Sequence, residues 1–279
     1  MSSVVAILHP GDMGGAVGAC LTRQDMQVVW ASGGRSESTR SRAEAARLED
    51  LETVARCAEA ADVVLSICPP HGAIDLAREI AAQGFKGIYV DANAIAPETT
   101  REVGRIIEKG GASFVDAGII GPPPKGEGRS RLYLAGANAK PVAELFSGTA
   151  LTAIVMDGPI GTASAIKVCY AAWNKGAIAM LGAVLALARH EGVDQALLKE
   201  WAQSQPELGK RMEMVATSAR KGWRWVGEME EIAASFESAG LPPGFHLAAA
   251  EINRSLESFK DAGKNPSIAE VTSALLGKG

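Results

Sequence analysis

The sequence predicts an α/β fold with a doubly wound, Rossmann-type parallel sheet, followed by an all-α C-terminal domain. From Val4 to about Val155, short aliphatic runs alternate with helix-length amphipathic segments. The runs are apolar throughout, as is typical of strands that are covered on both faces. From Gly161 onward every segment has helical character. We therefore predict a first domain over residues 1–157 and a helical second domain over 158–279.

The elements of the first domain follow from this alternation. The predicted strands are Val4–Leu8, Gln27–Ala31, Asp62–Cys68, Gly87–Asp91, Ser113–Ala117 and Arg131–Ala135. The helices between them are predicted over Met13–Arg23, Ser38–Leu48, Val54–Ala60, His71–Gln83 and Pro97–Lys109. The segment 121–128 is rich in proline, which lacks a backbone donor, and in glycine, so it is predicted to be a loop.

Charge and apolar patterning argue against two classes of partner. The chain has 28 basic and 32 acidic residues and a net charge of -4, and neither sign forms a long block. This balance argues against nucleic acid or an anionic membrane surface as the main partner. The longest apolar stretch, Gly176–Ala188, is too short to span a bilayer and is predicted to be a buried helix.

The cysteines bear on metal binding and on localisation. Cys20, Cys57, Cys68 and Cys169 are scattered without the spacing of metal ligands, and each lies in an apolar segment. We interpret them as reduced core residues of a cytoplasmic protein, and we expect no metal site. The N-terminus lacks the pattern of a signal peptide.

The first loop is similar to a dinucleotide-binding loop. Its sequence aligns with the G-x-G-x-x-G pattern, with His9 in place of the first glycine. The second glycine lets a pyrophosphate approach the backbone, and the third lets the helix pack on the strand, so both key positions are kept. We predict that the cofactor is bound by His9, Pro10, Gly11, Asp12, Met13 and Gly14.

The end of the second strand indicates which dinucleotide is preferred. An NAD site would place a carboxylate there, but this chain has Ser32, Arg35 and Ser36. An arginine fork and hydroxyl groups can bind a 2′-phosphate, so these three residues predict NADP. Alternatively, Arg35, Arg40 and Arg42 only solvate the start of a helix.

Five segments in this order resemble the β-hydroxyacid dehydrogenase superfamily, which includes 6-phosphogluconate dehydrogenase and the imine reductases. They are Gly11–Gly14, Cys68–Pro70, Val90–Asn93, Asp116–Gly121 and Gly161–Lys167. The resemblance covers roughly the first 190 residues, and beyond them only the helical character agrees.

The resemblance implies roles for several residues. It places Cys68, Pro69 and Pro70 beside the adenosine ribose and pyrophosphate, and Asn93 near the nicotinamide. In the alternative interpretation, Pro69 and Pro70 serve only to terminate a strand, and Asn93 is only a turn or capping residue. It also makes Lys167 the acid/base residue, which suits the chemistry, because an alcohol that loses a hydride must also lose its hydroxyl proton. A snorkelling surface lysine is the alternative.

The sequence departs from the family pattern near this lysine. Ala171 stands where hydroxyacid members have asparagine, whereas Tyr170 and Asn174 share the helix face of Lys167 and are predicted to replace it. Tyr170 orients substrate or donates a proton in this interpretation, or else it is a core aromatic. In the loop after Asp116, Ile120 and Pro122 replace the usual serine and glycine, so the usual carboxylate binding is not expected.

The helical domain departs further. Glu228, Glu230 and Glu231 stand where relatives have a Lys-Asp pair, which favours a neutral or amine-bearing substrate if these carboxylates face the site. Otherwise they form a solvated face. Whether these glutamates, Trp223, Trp225 or His246 line the pocket is left open.

The leading prediction is an NADP-dependent oxidoreductase that transfers a hydride between the nicotinamide and an alcohol or carbonyl carbon of a small hydroxyacid-like substrate. Lys167 is its general acid/base, and its site is expected between the two domains. Alternatives are reduction of a C=N bond, as in imine reductases, and a regulatory NADP-binding protein without turnover. The resemblance implies a homodimer formed by the helical domains, and the apolar helix at 176–188 gives it a physical motive.

Overall fold

A computed structural model describes residues 3–24, 26–126, 128–260 and 262–277 of the chain. The chain divides into two compact units, of which the first runs to Val168 and the second begins at Cys169. This division lies beyond the boundary predicted at 157/158. The difference arises because Gly161, Ala163 and Ser164 donate hydrogen bonds to Asp116 of the sheet and so belong with the first unit.

The first unit is built on an eight-stranded sheet with the order β3-β2-β1-β4-β5-β6-β7-β8. Neighbouring strands are parallel except β6 and β7, which are antiparallel because a loop without a helix joins them. The doubly wound α/β prediction is confirmed, although β3 and β8 were not predicted. The strands are β1 Val5–Leu8, β2 Val28–Trp30, β3 Glu49–Asp50, β4 Val63–Ser66, β5 Ile88–Asp91, β6 Ser113–Ile120, β7 Ser130–Ala135 and β8 Leu151–Val155.

Six α-helices flank this sheet among the described residues. Ser36 and Thr53 cap α2 and α3 by accepting a hydrogen bond from a first-turn amide. The second helix ends before its predicted end at Leu48 because Arg47 adopts a left-handed conformation with φ of 57°. The helices are α1 Asp12–Thr22, α2 Glu37–Ala45, α3 Val54–Ala60, α4 Ala73–Ala82, α5 Pro97–Lys109 and α6 Ala139–Glu144.

The sheet is buried on both faces. Along β1, Val5 and Ile7 pack into one hydrophobic cluster, and Ala6 and Leu8 pack into another. This alternation follows from the two-residue period of a strand. The uniformly apolar strands of the sequence are therefore explained by two cores, one on each face of the sheet.

The strand register defines the edge where ligands bind in folds of this kind. Leu8 pairs with Ser66, Ser66 with Asp91, and Asp91 with Asp116, so these residues form one row at the carboxyl ends of the parallel strands. The sixth strand continues past this row to Ile120. At about 3.3 Å per residue, Ile119 lies about 10 Å beyond the row.

The second unit is helical, as predicted. It comprises most of α7 and the helices that follow, with a core formed by Ile178, Leu181, Leu185, Val215 and Val271. These helices are α7 Thr162–His190, α8 Asp194–Ser204, α9 Leu208–Ser218, α10 Gly222–Ser238, α11 Gly244–Arg254 and α12 Ile268–Leu275.

One side of α7 is apolar yet exposed. Met180 and Leu187 are 44% and 59% exposed, so the stretch 176–188, predicted as buried, is buried on one side only, and Trp173 just before it is exposed as well. Cys169 is also exposed, so its assignment to the core was wrong, whereas the other three cysteines are buried. By length and composition α7 could cross a membrane, and half of its most apolar window is buried within the structure. A core helix of a soluble protein meets the same criterion.

Candidate cofactor and catalytic site

The predicted cofactor residues gather at one edge of the sheet. Residues 9–14 follow β1, residues 32–36 follow β2, residues 68–70 follow β4, and Asn93 follows β5. These four strands are neighbours in the sheet and parallel to one another. Their carboxyl ends therefore present all the predicted segments side by side.

The opening turn places a histidine in a backbone conformation that favours glycine. His9 has φ of 69°, and its carbonyl accepts a hydrogen bond from the Gly11 amide across 2.7 Å. A left-handed conformation is uncommon for residues other than glycine, although histidine is among those that adopt it. The turn therefore keeps the shape of the dinucleotide loop without its first glycine.

The two glycines that remain have different roles. A Cβ atom on Gly14 would lie 2.5 Å from the His9 carbonyl oxygen, so this glycine lets α1 pack against the turn. A Cβ atom on Gly11 would meet no protein atom within 4 Å. No side chain caps the N-terminus of α1, where Gly11 is the N-cap. Open space before an uncapped helix N-terminus fits the pyrophosphate of a dinucleotide.

Two buried polar atoms lie unpaired beside this turn. Neither Nδ1 of His9 nor Nε of Arg35 has a hydrogen-bond partner. Burial, together with the positive charge of Arg35, lowers the pKa of His9 to about 4. The positive charge of Arg35 disfavours a proton on the neighbouring imidazole. An anionic ligand group, in contrast, would interact favourably with both side chains.

A carboxylate from the neighbouring strand β3 lies at the end of β2, which the sequence did not reveal. The Ser32 amide donates to Oδ1 of Asp50 across 3.2 Å, and Nη2 of Arg40 donates to the Ser32 carbonyl across 2.9 Å. Arg40 also approaches Asp50 to 4.0 Å. Ser32 is buried, and Ser36 caps α2 through its hydroxyl group. Of the three residues predicted to bind a 2′-phosphate, Arg35 is therefore the one whose side chain is most available to bind a ligand.

Asn93 connects the ends of β4 and β5. Its Oδ1 accepts from the Cys68 amide across 2.6 Å, and its Nδ2 donates to Ser66 and to Asp91 across 2.9 Å each. The side chain is buried and points into the protein. Burial and the nearby Asp91 raise the pKa of the Cys68 thiol to about 12. Asn93 thus holds the turn that leads to Pro69, and Cys68 is an inert thiol there.

The first turn of α7 is held by a buried carboxylate from β6. Asp116 accepts hydrogen bonds from the Gly161 and Ala163 amides across 2.8 Å and from the Ser164 amide across 3.0 Å. The Ser164 hydroxyl lies 2.5 Å from Asp116 and 2.7 Å from the Thr100 hydroxyl. Burial raises the pKa of Asp116, and these hydrogen bonds oppose that effect. Residues 113–120 are a strand rather than the loop expected after Asp116.

Lys167 lies on the second turn of this anchored helix. Its Nζ donates to the Ile119 carbonyl across 2.7 Å, and its side chain is half-buried. A Cβ atom on Gly118 would lie 3.0 Å from Lys167 Cβ and 2.5 Å from the Ala163 carbonyl oxygen, so the absence of a side chain there permits the contact. The Lys167 ammonium group is therefore held past the carboxyl edge, beside the strand that follows the four cofactor-binding strands.

The two residues predicted to assist Lys167 follow it on α7. Tyr170 is exposed, so its interpretation as a core aromatic is wrong. Nδ2 of Asn174 donates to the Tyr170 carbonyl across 2.9 Å, and the Asn174 side chain is half-buried.

In the second unit, the glutamates of α10 are paired with cations. Glu228 forms a mostly buried ion pair with Lys175, whose Nζ lies 5.0 Å from the centroid of the Trp225 ring. Glu230 binds Arg254 across 2.9 Å. The sequence pattern did not single out Lys175 as a partner, because fifty-three residues separate it from Glu228. The charges of these two carboxylates are therefore balanced within the unit.

His246 lines an apolar cavity of about 560 Å³ in the second unit. Its ring packs edge-on against Phe236 with centroids 4.4 Å apart, and its Nδ1 is buried without a partner. Trp173, Met180 and Trp201 also line the cavity. Trp223 lies elsewhere, with Nζ of Lys260 4.3 Å from its ring centroid.

These features define a dinucleotide-binding α/β unit joined to a helical unit. Residues 5–149 match the family model of the NAD binding domain of 6-phosphogluconate dehydrogenase, and the chain belongs to this family. Residues 188–256 match a domain of unknown function, DUF1932. The resemblance found in the sequence is thereby confirmed.

A curated relative and two solved structures are similar to this chain. An uncharacterized 28.5 kDa protein of Methanothermus fervidus is 27% identical over 166 residues, which cover 60% of this chain and 63% of that relative. A conserved hypothetical protein from Sinorhizobium meliloti is 25% identical, with 100% and 97% of the two chains covered and a TM-score of 0.69. A Mycobacterium tuberculosis 3-hydroxyisobutyrate dehydrogenase, solved with L-serine, is 18% identical, with 99% of both chains covered and a TM-score of 0.67.

Enzymes that act on C=N bonds share the fold as well. An imine reductase from Myxococcus stipitatus, solved with NAD+, is 18% identical, covers 99% of this chain and 100% of its own, and has a TM-score of 0.55. A reductive aminase from Aspergillus terreus, solved with NADPH and ethyl levulinate, is 14% identical, with 97% and 98% covered and a TM-score of 0.60. The chain therefore has a hydroxyacid dehydrogenase-like NAD(P)-binding fold.

Proposed function

We propose that this protein is an NADP-dependent oxidoreductase acting on an alcohol or carbonyl carbon of a small hydroxyacid-like substrate, with Lys167 as its general acid/base. The supporting observation is the 2.7 Å hydrogen bond from Lys167 Nζ to the Ile119 carbonyl. It holds an ammonium group beyond the carboxyl edge of a sheet whose family binds NAD.

The chemistry assigned to Lys167 is a proton transfer. The bound nicotinamide supplies or accepts the hydride. In the reductive direction the Lys167 ammonium donates a proton to the substrate oxygen, and in the oxidative direction its neutral amine accepts the hydroxyl proton. The Ile119 carbonyl positions Nζ, and the Asp116 cap fixes the helix turn that precedes it.

The preference for NADP rests on Arg35. Its Nε is buried and unpaired, so it can donate to a phosphate oxygen. The nearby Asp50 is bound to the Ser32 amide and lies 4.0 Å from Arg40, which offsets its negative charge. Neither Ser32 nor Ser36 is needed as the main phosphate ligand.

Reduction of a C=N bond is the second candidate. Ala171 and Ile120, which replace polar residues of the hydroxyacid enzymes, favour it. The pairing of Glu228 with Lys175 and of Glu230 with Arg254 weakens it, because those carboxylates are already balanced and offer no uncompensated charge to an amine.

The test follows nicotinamide absorbance with NADP+ and NADPH against hydroxyacids, alcohols, aldehydes and imines. We expect turnover of a hydroxy or carbonyl compound, and a fall in kcat of about 10²–10⁴-fold in Lys167→Ala at unchanged NADPH affinity. The control is Lys140→Ala, an exposed lysine on α6. If imine reduction survives Lys167→Ala, then the second candidate function, reduction of a C=N bond, is the correct one. NADPH binding without turnover of any class would indicate the regulatory alternative.

We also propose that the protein is a cytoplasmic homodimer paired through α7. Six residues that are not buried recur at intervals of three and four, the spacing of a helix-pairing seam: Tyr170, Trp173, Ala177, Met180, Val184 and Leu187. A second copy would cover this stripe, which we call the α7 seam, and the apolar cavity beside it. The four free cysteines suit a reducing compartment.

A further inference from the structure

We propose that His9 and Arg35 act as one phosphate-binding pair, and that His9 binds a proton together with the phosphate group. The inference rests on the proposed NADP binding and goes beyond it, because it makes cofactor affinity depend on pH through a residue that replaces the first glycine of the loop.

The backbone turn at position 9 does not require a histidine. At φ of 69° a glycine would occupy the His9 position without steric strain, and the Gly11 amide would still bind the carbonyl of that residue. The histidine therefore contributes nothing that the turn itself requires. Strained residues of this kind concentrate at sites where the side chain has a function.

His9 and Arg35 each have one buried polar atom without a hydrogen-bond partner. Buried polar atoms are nearly always satisfied, yet Nδ1 of His9 and Nε of Arg35 both lack a partner. Arginine only donates, so the missing partner must carry an acceptor. A phosphate oxygen accepts from Arg35 Nε and from a protonated His9 Nδ1 at once, and it satisfies both.

The charge of Arg35 influences the protonation of His9. Arg35 is the charged group that acts on His9 from the segment after β2, and a hydrogen bond between the imidazole and the Leu8 backbone of β1 opposes the lowering of the pKa. With burial and Arg35 lowering the pKa of His9 to about 4, the imidazole is neutral at pH 7 in the free protein. A phosphate group between the two side chains would offset the charge of Arg35 and stabilise the imidazolium, so the pKa of His9 rises on binding.

The sign of the pH dependence follows by linkage. If the pKa of His9 is higher in the complex, then binding takes up a proton, and affinity rises as pH falls between the free and bound values. The charge of Arg35 also acts on the Cys68 thiol at the end of β4, so it reaches both turns that are predicted to contact the dinucleotide, the one after β1 and the one after β4. The pyrophosphate and the 2′-phosphate are therefore both candidate ligands of the His9–Arg35 pair.

The experiment measures protons rather than turnover. NADP+ and NAD+ are titrated calorimetrically at pH 6.5 in two buffers of different ionisation enthalpy, with the natural chain and with His9→Gly. Because a 2′-phosphate itself titrates near pH 6, the quantity that counts is the difference in proton uptake between the two proteins. The His9 imidazole is followed in parallel by NMR, with the resonance assigned by its loss in His9→Gly.

We expect the natural chain to take up a larger fraction of a proton than His9→Gly, and His9→Gly to bind NADP+ about tenfold more weakly. Since glycine relieves the left-handed strain, this variant should melt no lower than the natural chain, so weaker binding would not reflect unfolding. Arg35→Gln should weaken binding and abolish the extra proton uptake.

The probes 2′,5′-ADP and 5′-ADP separate the two sources of phosphate. Proton uptake with 2′,5′-ADP alone assigns the pair to the 2′-phosphate, whereas uptake with both probes and with NAD+ assigns it to the 5′-phosphate side. Equal proton counts and equal affinities in the natural chain and His9→Gly would overturn the inference. Failure of the natural chain to bind any dinucleotide would instead overturn the proposed function.

Discussion

Asp116 on β6 accepts two hydrogen bonds from Ser164 on α7, one from its hydroxyl across 2.5 Å and one from its amide across 3.0 Å. The carboxylate thereby caps a helix forty-eight residues away in the chain. Lys167 follows Ser164 by less than one helical turn, so the cap fixes the start of the segment that presents its ammonium group.

Asp116→Asn should destabilise the protein strongly. The amide of asparagine offers one acceptor where the carboxylate offered two, and it turns a donor toward the amides of the first turn of α7. We expect a loss of about 2–3 kcal/mol in the free energy of unfolding, measured by urea titration. Ser164→Ala, which keeps the carboxylate, should cost about 1 kcal/mol. Equal effects of the two variants would contradict the role of Asp116 as the common acceptor.

Gly11→Ala and Gly14→Ala form a matched pair that separates cofactor binding from folding. At Gly11 a methyl group meets no protein atom within 4 Å, so the variant should unfold at the same urea concentration as the natural chain but bind NADPH at least tenfold more weakly. At Gly14 the methyl group would lie 2.5 Å from the His9 carbonyl oxygen, so that variant should lose stability. Fluorescence titration with NADPH and urea unfolding measure the two effects. Unchanged NADPH affinity in Gly11→Ala would show that the pyrophosphate does not bind at this helix end.

The sequence predicted the fold well where the apolar pattern was long. The strands of the central sheet are buried runs, and the second unit is helical as its composition indicates. The third strand, Glu49–Asp50, is a pair of exposed polar residues, so it had no apolar signal. The contact of Asp50 with Ser32 was missed for the same reason, because it depends on where that short strand joins the sheet.

The candidate site was predictable in its residue types and less so in its contacts. The loop motif located His9–Gly14, and the resemblance located Lys167. The acceptor of Lys167 is the main-chain oxygen of Ile119, and no side-chain pattern can reveal a backbone partner. The α7 seam did carry a signal, a three- and four-residue spacing of apolar side chains, but an unpartnered stripe and a core stripe have the same period.

Removal of one partner of the Lys175–Glu228 ion pair should destabilise the protein, whereas replacement of both partners by apolar residues should be tolerated. Both side chains are mostly buried, so removing one partner leaves a charge without compensation. We expect Glu228→Leu or Lys175→Met alone to cost about 3–5 kcal/mol, and the double variant Lys175→Met with Glu228→Leu to recover most of that loss. Urea unfolding of the four proteins gives the coupling energy. Additive losses would show that the two charges do not interact.

Interruption of the α7 seam should separate the proposed dimer. Trp173→Glu and Leu187→Glu each place a carboxylate in the stripe, where pairing would bury it against an apolar partner. The natural chain should elute with about twice its mass of 29.0 kDa, and these variants should approach the mass of one chain. Met214→Glu on α9 is the matched control, since Met214 is an exposed apolar residue outside the seam. Light scattering over a hundredfold range of concentration measures the change. If the natural chain remains a monomer throughout, or if Met214→Glu dissociates it equally, then α7 is not the pairing surface.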